Sequence, residues 1–138
     1  MFMKGRTAEA SLQMARASAE ALVPPDADFP AVPPFSRLSQ LMELAAARVM
    51  RPLLHEGESS VALSLELTHA VSGPVSGNLR AVATHQGVNG REHRFLVHVF
   101  DESGLVASGE HRRAVVVSRR VLGAARRRVG RMSMLLGI

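Results

Sequence analysis

The spacing of apolar residues along the chain predicts five β-strands. Alternation predicts a first strand over residues 6–16, with one face formed by Ala8, Ala10, Leu12 and Met14. Four more strands are predicted over residues 60–69, 78–86, 91–101 and 105–117. The sequence GVNG after the third strand and DESG at 101–104 are typical of hairpin turns. The last four strands should therefore follow one another as an antiparallel meander.

One long helix is predicted between the first and second strands. Ser36 follows two prolines and is a good N-cap residue, and the helix should run to about Leu54. Its apolar stripe at helical spacing consists of Leu38, Leu41, Met42, Ala45 and Val49. The proline-rich residues 24–35 cannot form a helix interior or a central strand, so they should connect the first strand to the helix. This order predicts an α+β domain with the helix packed against an antiparallel sheet.

The composition indicates a single globular domain and excludes cysteine chemistry. The 138 residues are 46% hydrophobic and 21% charged, which fits a single core. There is no cysteine, which excludes disulfides, thiolate metal sites and cysteine nucleophiles. No apolar run approaches the roughly 20 residues of a transmembrane segment, and the N-terminus has no apolar signal region. A cytoplasmic protein is therefore expected.

Glu43 departs from the polar face of the predicted helix. Its sector also contains Ser36 and Ser39, and its neighbours are Ala46 and Met50. A carboxylate in such surroundings loses hydration unless another group compensates for it. The alternative is a glutamate on the helix flank that simply reaches water, and the helix alone does not decide between the two.

His69 ends an apolar strand in the stretch LELTHAVSGPVSGNLR. Val61, Leu63, Leu65 and Leu67 alternate as one buried face, and His69 takes the next place on it. A histidine at this strand end could approach Glu43 and form an acid/base pair. Backbone N–H groups around Gly73 and Gly77, where the chain breaks, could line a pocket beside the pair. The alternative is a hydrogen-bonded structural histidine.

The segment FSRLSQLMELAAARVMRPLLHEGESSVALSLELTHAVSGPVSG resembles the fluoroacetyl-CoA thioesterase-like family of hot-dog proteins. The matching features are L-M-E-x-A-A on the helix, P-x-L-x-x-G-E-x-S, a strand ending in T-H, N-G-R in a hairpin, and G-x-H-x-R-A-V at 109–115. The resemblance covers roughly residues 5–118. It implies a hot-dog fold, in which a five-stranded antiparallel sheet wraps around one long helix and two copies usually pair. Residues 1–118 would form this domain, followed by a basic tail or short helix over 119–138.

The resemblance also implies acyl-CoA thioester hydrolysis in a cleft between two protomers, with no cofactor other than the coenzyme A of the substrate. Glu43 would attack the thioester carbonyl or activate water, and His69 would orient that water and help to protonate the thiolate. Two positions depart from the family: Phe35 replaces its hydroxyl residue, with Ser36 adjacent, and Ala62 replaces a glycine. These changes keep a non-catalytic acyl-CoA or small-ligand binding protein open as the alternative.

The remaining histidines give no metal motif. The six histidines contain no H-E-x-x-H and no clustered ligand spacing, so no metal site is expected. His85, His93 and His98 are predicted to be surface or cross-strand residues.

The basic tail SRRVLGAARRRVGRMSMLLGI invites a nucleic-acid interpretation, which the scarcity of aromatic residues disfavours. Arginines near the cleft would instead attract the phosphates of coenzyme A, with Arg113 as the best single candidate. The apolar end of the tail could contact a partner protomer or a membrane surface, and the sequence leaves this open.

Overall fold

The computed structural model describes residues 5–12, 35–70 and 78–137. Its elements in chain order are β1 (Thr7–Leu12), α1 (Phe35–Met50), a 3-10 turn (Arg51–Leu53), β2 (Glu58–His69), β3 (Leu79–Asn89), β4 (Glu92–Asp101), β5 (Gly104–Val117) and α2 (Ser118–Leu136). The five strands form one antiparallel sheet in the order β1-β3-β4-β5-β2. The predicted five-stranded antiparallel sheet and its long helix are confirmed. The predicted four-strand meander is wrong for β2, which lies at the sheet edge and pairs with β5 rather than with β3, so only β3, β4 and β5 follow one another.

The helix α1 contacts all five strands, and the core lies between the helix and the sheet. The predicted apolar stripe of α1 is buried in full, together with Ala46 and Met50. Opposite it lie buried residues of β3 and β4: Ala81, Ala83, Phe95, Val97 and Val99. Burial of each large apolar side chain in this layer stabilises the fold by about 1.5–3 kcal/mol relative to exposure. The 3-10 turn ends the helix at its proline, Pro52.

Gly109 on β5 lies against both β2 and the side chain of Met42 on α1. A Cβ atom at this position would lie 2.5 Å from the Glu66 carbonyl oxygen and 2.8 Å from the Met42 Cε atom. The end of the methionine could move aside, but the Glu66 carbonyl is backbone of β2, so the close pairing of β2 with β5 requires glycine here.

The predicted buried face of β2 is wrong in its first half. Leu65 and Leu67 pack against the core, but Val61 is 37% exposed and Leu63 is 50% exposed. The register explains this, because Ala62 pairs with Arg113 and Ser64 pairs with Arg112, which leaves Leu63 in a bulge. One extra residue in a strand exchanges the faces before and after it. Val61 therefore points to the outer face of the sheet.

β2 is also an edge strand, and its 12 residues pair only with β5 among the described strands. Its middle section, residues 61–64, is exposed throughout. A long edge with exposed apolar side chains offers its unpaired N–H and C=O groups to another chain.

Within the described residues, β1 begins at Thr7, one residue after its predicted start. Ala10 is buried and Ala8 packs against the core, as the alternation predicts. Residues 13–16 and the proline-rich residues 24–34 lie outside the described residues.

At the other end of the chain, α2 extends for 19 residues and buries none of them. Within the described part of the chain, no helix is long and apolar enough to cross a membrane.

Candidate active site

Glu43 lies half-buried on α1 and faces two buried residues of β5. These are His111, which is fully buried, and Arg113, which is 7% exposed. Burial lowers the pKa of both side chains, and the negative charge of Glu43 offsets part of this effect. The helix therefore places a negative charge against a buried positive charge, which compensates the desolvation of both groups.

Hydrogen bonds fix the two β5 side chains and define the state of the imidazole. The Nδ1 atom of His111 lies 2.8 Å from the Ser64 carbonyl oxygen, and its Nε2 atom lies 3.1 Å from Nη1 of Arg113. Since the guanidinium can only donate, Nε2 accepts and Nδ1–H donates to Ser64. Burial is the largest influence on His111 and lowers its pKa, and the positive charge of Arg113 lowers it further. His111 is thus a neutral imidazole with both nitrogens satisfied.

The guanidinium of Arg113 is held by Ser60 as well. Its Nε donates to the Ser60 hydroxyl at 3.0 Å, and its Nη2 donates to the Ser60 carbonyl oxygen at 2.9 Å. Burial lowers the pKa of Arg113, although a guanidinium remains protonated in proteins. The sequence suggested Arg113 as a contact for the phosphates of coenzyme A. In the structure its charge faces the Glu43 carboxylate on the inner side of the sheet.

His111 was not proposed as a site residue from the sequence, although the sequence pattern indicates which face of β5 it occupies. The motif G-x-H-x-R alternates, so Gly109, His111 and Arg113 share one face of β5. Because Gly109 abuts the helix, that face is the inner one. The alternation alone would have placed a histidine and an arginine beneath α1.

His69 lies on the same side of the sheet, at the end of the edge strand. It shares the inner face with Leu65 and Leu67, as the sequence predicts, and pairs with Ala107 of β5. Its ring meets the ring of Phe35 edge-on, with 4.7 Å between centroids. Phe35 is the first residue of α1 and is 55% exposed. The N-terminal end of the helix is therefore beside the imidazole.

Of the other site residues proposed from the sequence, the structure describes Ser36 and Ala62. Ser36 is exposed and lies inside the first turn of α1, because the helix begins one residue earlier than predicted. The carbonyl oxygen of Ser36 accepts a hydrogen bond from the Ser39 hydroxyl at 3.0 Å. Ala62 lies before the bulge of β2, opposite Arg113. Gly73 and Gly77 lie outside the described residues.

A second histidine cluster lies under the other half of the sheet. Of the two expectations for His85, surface or cross-strand, the cross-strand one is confirmed, because the residue is 1% exposed and its Nε2 atom lies 3.0 Å from Nδ1 of His93 on the neighbouring strand. The Nδ1 atom of His85 is buried and has no hydrogen-bond partner among the described residues. Burial lowers the pKa of both histidines, and for His85 the neighbouring His93 lowers it further. The described residues contain no group of three or more side chains that could hold a metal ion.

Comparison with known proteins assigns the chain to a family. The sequence profile of the fluoroacetyl-CoA-specific thioesterase family matches residues 14–119. The chain belongs to this family. The fluoroacetyl-CoA thioesterase of Streptantibioticus cattleyicolor is 33% identical over 93 residues, which are 67% of each protein.

Solved structures support the same family and its hot-dog fold. A structure of the fluoroacetyl-CoA thioesterase FlK has a TM-score of 0.81 and 25% identity, and the match covers 92% of this chain and 97% of that one. A thioesterase-superfamily protein from Thermus thermophilus has a TM-score of 0.81 and 26% identity, covering 95% and 96% of the two chains. A hot-dog-like protein from Thermanaerovibrio acidaminovorans, with a TM-score of 0.79 and 17% identity over 92% and 93% of the chains, shows the shared fold alone.

Proposed function

We propose that this protein hydrolyses a small or medium acyl-CoA thioester with Glu43 and His69. The observation that carries the proposal is the placement of the Glu43 carboxylate. Glu43 lies half-buried on α1, close enough for its charge to offset part of the desolvation of the buried Arg113, while His69 lies on the same side of the sheet. Membership of the fluoroacetyl-CoA-specific thioesterase family supports thioester chemistry at this position.

In the proposed reaction, the thioester carbonyl carbon is attacked by water that Glu43 deprotonates, or by the carboxylate itself. The C–S bond then breaks and the thiolate of coenzyme A leaves with a proton from His69. If Glu43 is the nucleophile, water hydrolyses the resulting anhydride and restores the carboxylate. No hydrogen bond joins Glu43 to His69 among the described residues, so water or the substrate carbonyl connects them. Because His69 lies beside the first turn of α1, the oxyanion forms near the positive end of the helix dipole.

The proposal includes a homodimer with the cleft at its interface. The 12-residue edge strand β2 carries His69 at its end and exposes Val61 and Leu63. Pairing of β2 with a second copy would cover this edge and close the site against water. A protein of this kind acts in the cytoplasm, where acyl-CoA is formed and used.

One observation favours the alternative, a non-catalytic acyl-CoA or small-ligand binding protein. The ring of Phe35 packs edge-on against His69, at the position where the family has a hydroxyl residue. Aromatic rings at a cleft bind acyl groups but cannot relay a proton. Turnover therefore separates the two functions.

The experiment is a thiol-release assay over acyl-CoA substrates of increasing chain length. Replacement Glu43→Gln, which preserves shape but removes the carboxylate, should lower kcat/KM by about 10²-fold or more. His69→Ala should lower it by a similar factor. The matched controls are Glu66→Gln on the exposed side of β2 and His55→Ala after the 3-10 turn, and both should keep wild-type turnover.

Absence of turnover on every thioester, together with binding of acyl-CoA in calorimetry, would establish the binding alternative. Undiminished turnover in both Glu43→Gln and His69→Ala would remove this pair from the mechanism.

A further inference from the structure

The C-terminal helix α2 has two faces of different chemistry. At about 100° per residue, one arc of roughly 100° contains only apolar side chains after the first residue of the helix, Ser118. These are Val121, Leu122, Ala125, Val129, Met132 and Leu136. The remaining arc carries all six arginines of the helix, and Arg126 and Arg128 stand at its two borders with the apolar arc. The helix is therefore amphipathic, although Met134 and Leu135 interrupt its basic side.

The apolar arc is not used in the fold. No residue of α2 is buried, and within the arc Leu122 is 57% exposed and Val129 is 65% exposed. The attachment lies at the first residue, where the Ser118 hydroxyl meets the Ser59 hydroxyl at 2.6 Å and the Ser118 N–H donates to the Gly57 carbonyl oxygen at 2.9 Å. The helix closes with Gly137 in the left-handed conformation, so it is a complete element with an uncovered apolar side.

The charge of α2 differs from that of the rest of the chain. The helix contains six of the 17 basic residues and none of the 12 acidic residues. The remaining residues thus have 11 basic and 12 acidic side chains, a formal charge of −1. The net charge of +5 therefore originates in one helix.

We propose that α2 binds an anionic lipid surface and holds the protein there. The apolar arc would enter the boundary between headgroups and acyl chains, and the bordering arginines would reach the anionic headgroups with their long stems. A cytoplasmic leaflet rich in anionic lipid supplies this combination of charges and apolar surface. This inference does not depend on the hydrolysis proposed above.

Two other occupants fit the helix less well. A second copy of α2 packed on the apolar arc would bring the bordering arginines of both helices together, with no acidic residue in the helix to pair with them. Nucleic acid would neutralise the arginines but would leave the apolar arc in water, and the helix has no aromatic residue to stack on bases.

The experiment uses the full chain and vesicle co-sedimentation. The protein should bind vesicles of equal parts phosphatidylcholine and phosphatidylglycerol, should not bind pure phosphatidylcholine vesicles, and should dissociate as salt is added. The decisive variants are Met132→Glu in the apolar arc and Met134→Glu in the basic arc. Both introduce the same charge into the same helix, so only the first should weaken binding by about tenfold or more.

Both methionines are exposed, at 51% and 83%, so the urea midpoint of each variant should match that of the unaltered protein. Equal weakening by the two variants would overturn insertion of the apolar arc, as would equal binding to both kinds of vesicle or no binding at all. Dissociation of an oligomer by Met132→Glu in light scattering would assign the arc to a second copy. Binding of double-stranded DNA without binding of vesicles would assign the helix to nucleic acid.

Discussion

His85 and His111 occupy one row of the sheet, on opposite sides of Phe95. His85 pairs with Phe95 across β3 and β4, and Phe95 pairs with His111 across β4 and β5. Their ring centroids lie 5.2 Å and 6.3 Å from that of Phe95, and both imidazoles are essentially inaccessible to water. The difference between them is in the hydrogen bonds. His111 has a partner on both nitrogens, whereas Nδ1 of His85 has none within the described ranges of the chain.

The helix creates this difference. Above β5 it carries Glu43, whose charge allows Arg113 to be buried, and Arg113 in turn fixes the tautomer of His111. His85 has only His93 as its polar partner, and two neutral imidazoles can share a single proton in their bond. Burial alone therefore does not decide which nitrogen of a histidine carries the proton. A charged donor bonded to the imidazole does, because it requires the nitrogen that it contacts to accept.

The strongest test of this comparison uses two neighbouring arginines on opposite faces of β5. Arg113→Met should lower the free energy of unfolding by about 3 kcal/mol, because Glu43 and Ser60 lose their buried partner. Arg112→Met, which removes the exposed ion pair with Glu92, should lower it by less than about 1 kcal/mol. Urea unfolding at neutral pH measures both. Equal losses would mean that the buried interactions of Arg113 stabilise the fold no more than the exposed Arg112–Glu92 pair does.

The two histidines can be exchanged for phenylalanine as a matched pair. His111→Phe should cost about 2 kcal/mol, because the Ser64 carbonyl and an Arg113 N–H lose their partner in the interior. His85→Phe should change the stability by less than about 1 kcal/mol, because it also removes a buried nitrogen that has no partner. Urea midpoints give both values. A larger loss in His85→Phe would reverse the comparison.

The pH dependence gives the smallest effect. Burial lowers the pKa of His85, His93 and His111 in the folded protein, so the unfolded chain binds these protons first. Stability should be complete above about pH 6.5 and should fall as the pH decreases below it, by at most about 1.4 kcal/mol per pH unit for each histidine. Urea midpoints at pH 7.5 and 5.5 measure the slope.

The slope should become shallower in His85→Phe, because one of the three groups is removed. Val97→Ala provides the control, since it leaves a cavity in the core and should lower stability equally at both pH values. A slope in His85→Phe that equals that of the unaltered protein would show that His85 does not contribute.

Most of the architecture could be predicted because it follows from local periodicity. The consecutive pairing of β3, β4 and β5 was predicted from alternating runs and from turn sequences such as GVNG, and α1 was predicted from a stripe with helical spacing. Both are properties of neighbouring residues. The bulge at Leu63 could not be predicted, because it depends on the pairing of β2 with β5, about 50 residues further along the chain.

The candidate site likewise has one part that the local sequence pattern predicts and one part that it does not. His69 continues the face of Leu65 and Leu67, which lie within a few residues, and its inward position was predicted correctly. The surroundings of Glu43 depend on how α1 packs over Arg113 and His111 of β5, which are far from it in sequence. The catalytic roles of Glu43 and His69 stay predictions until turnover is measured.

By itself, the sequence determined the strands, the long helix, the side of the sheet that His69 faces and the basic character of α2, because each depends on spacing within a short segment. Only the tertiary structure decided that Arg113 faces Glu43, that His111 is neutral and that Phe35 packs on His69. The long-range interactions behind these features join Phe35 to His69, Ser64 to His111 and Glu43 to Arg113, which are 34, 47 and 70 positions apart. Their geometry depends on the packing distance between the helix and the sheet, which no local sequence pattern specifies.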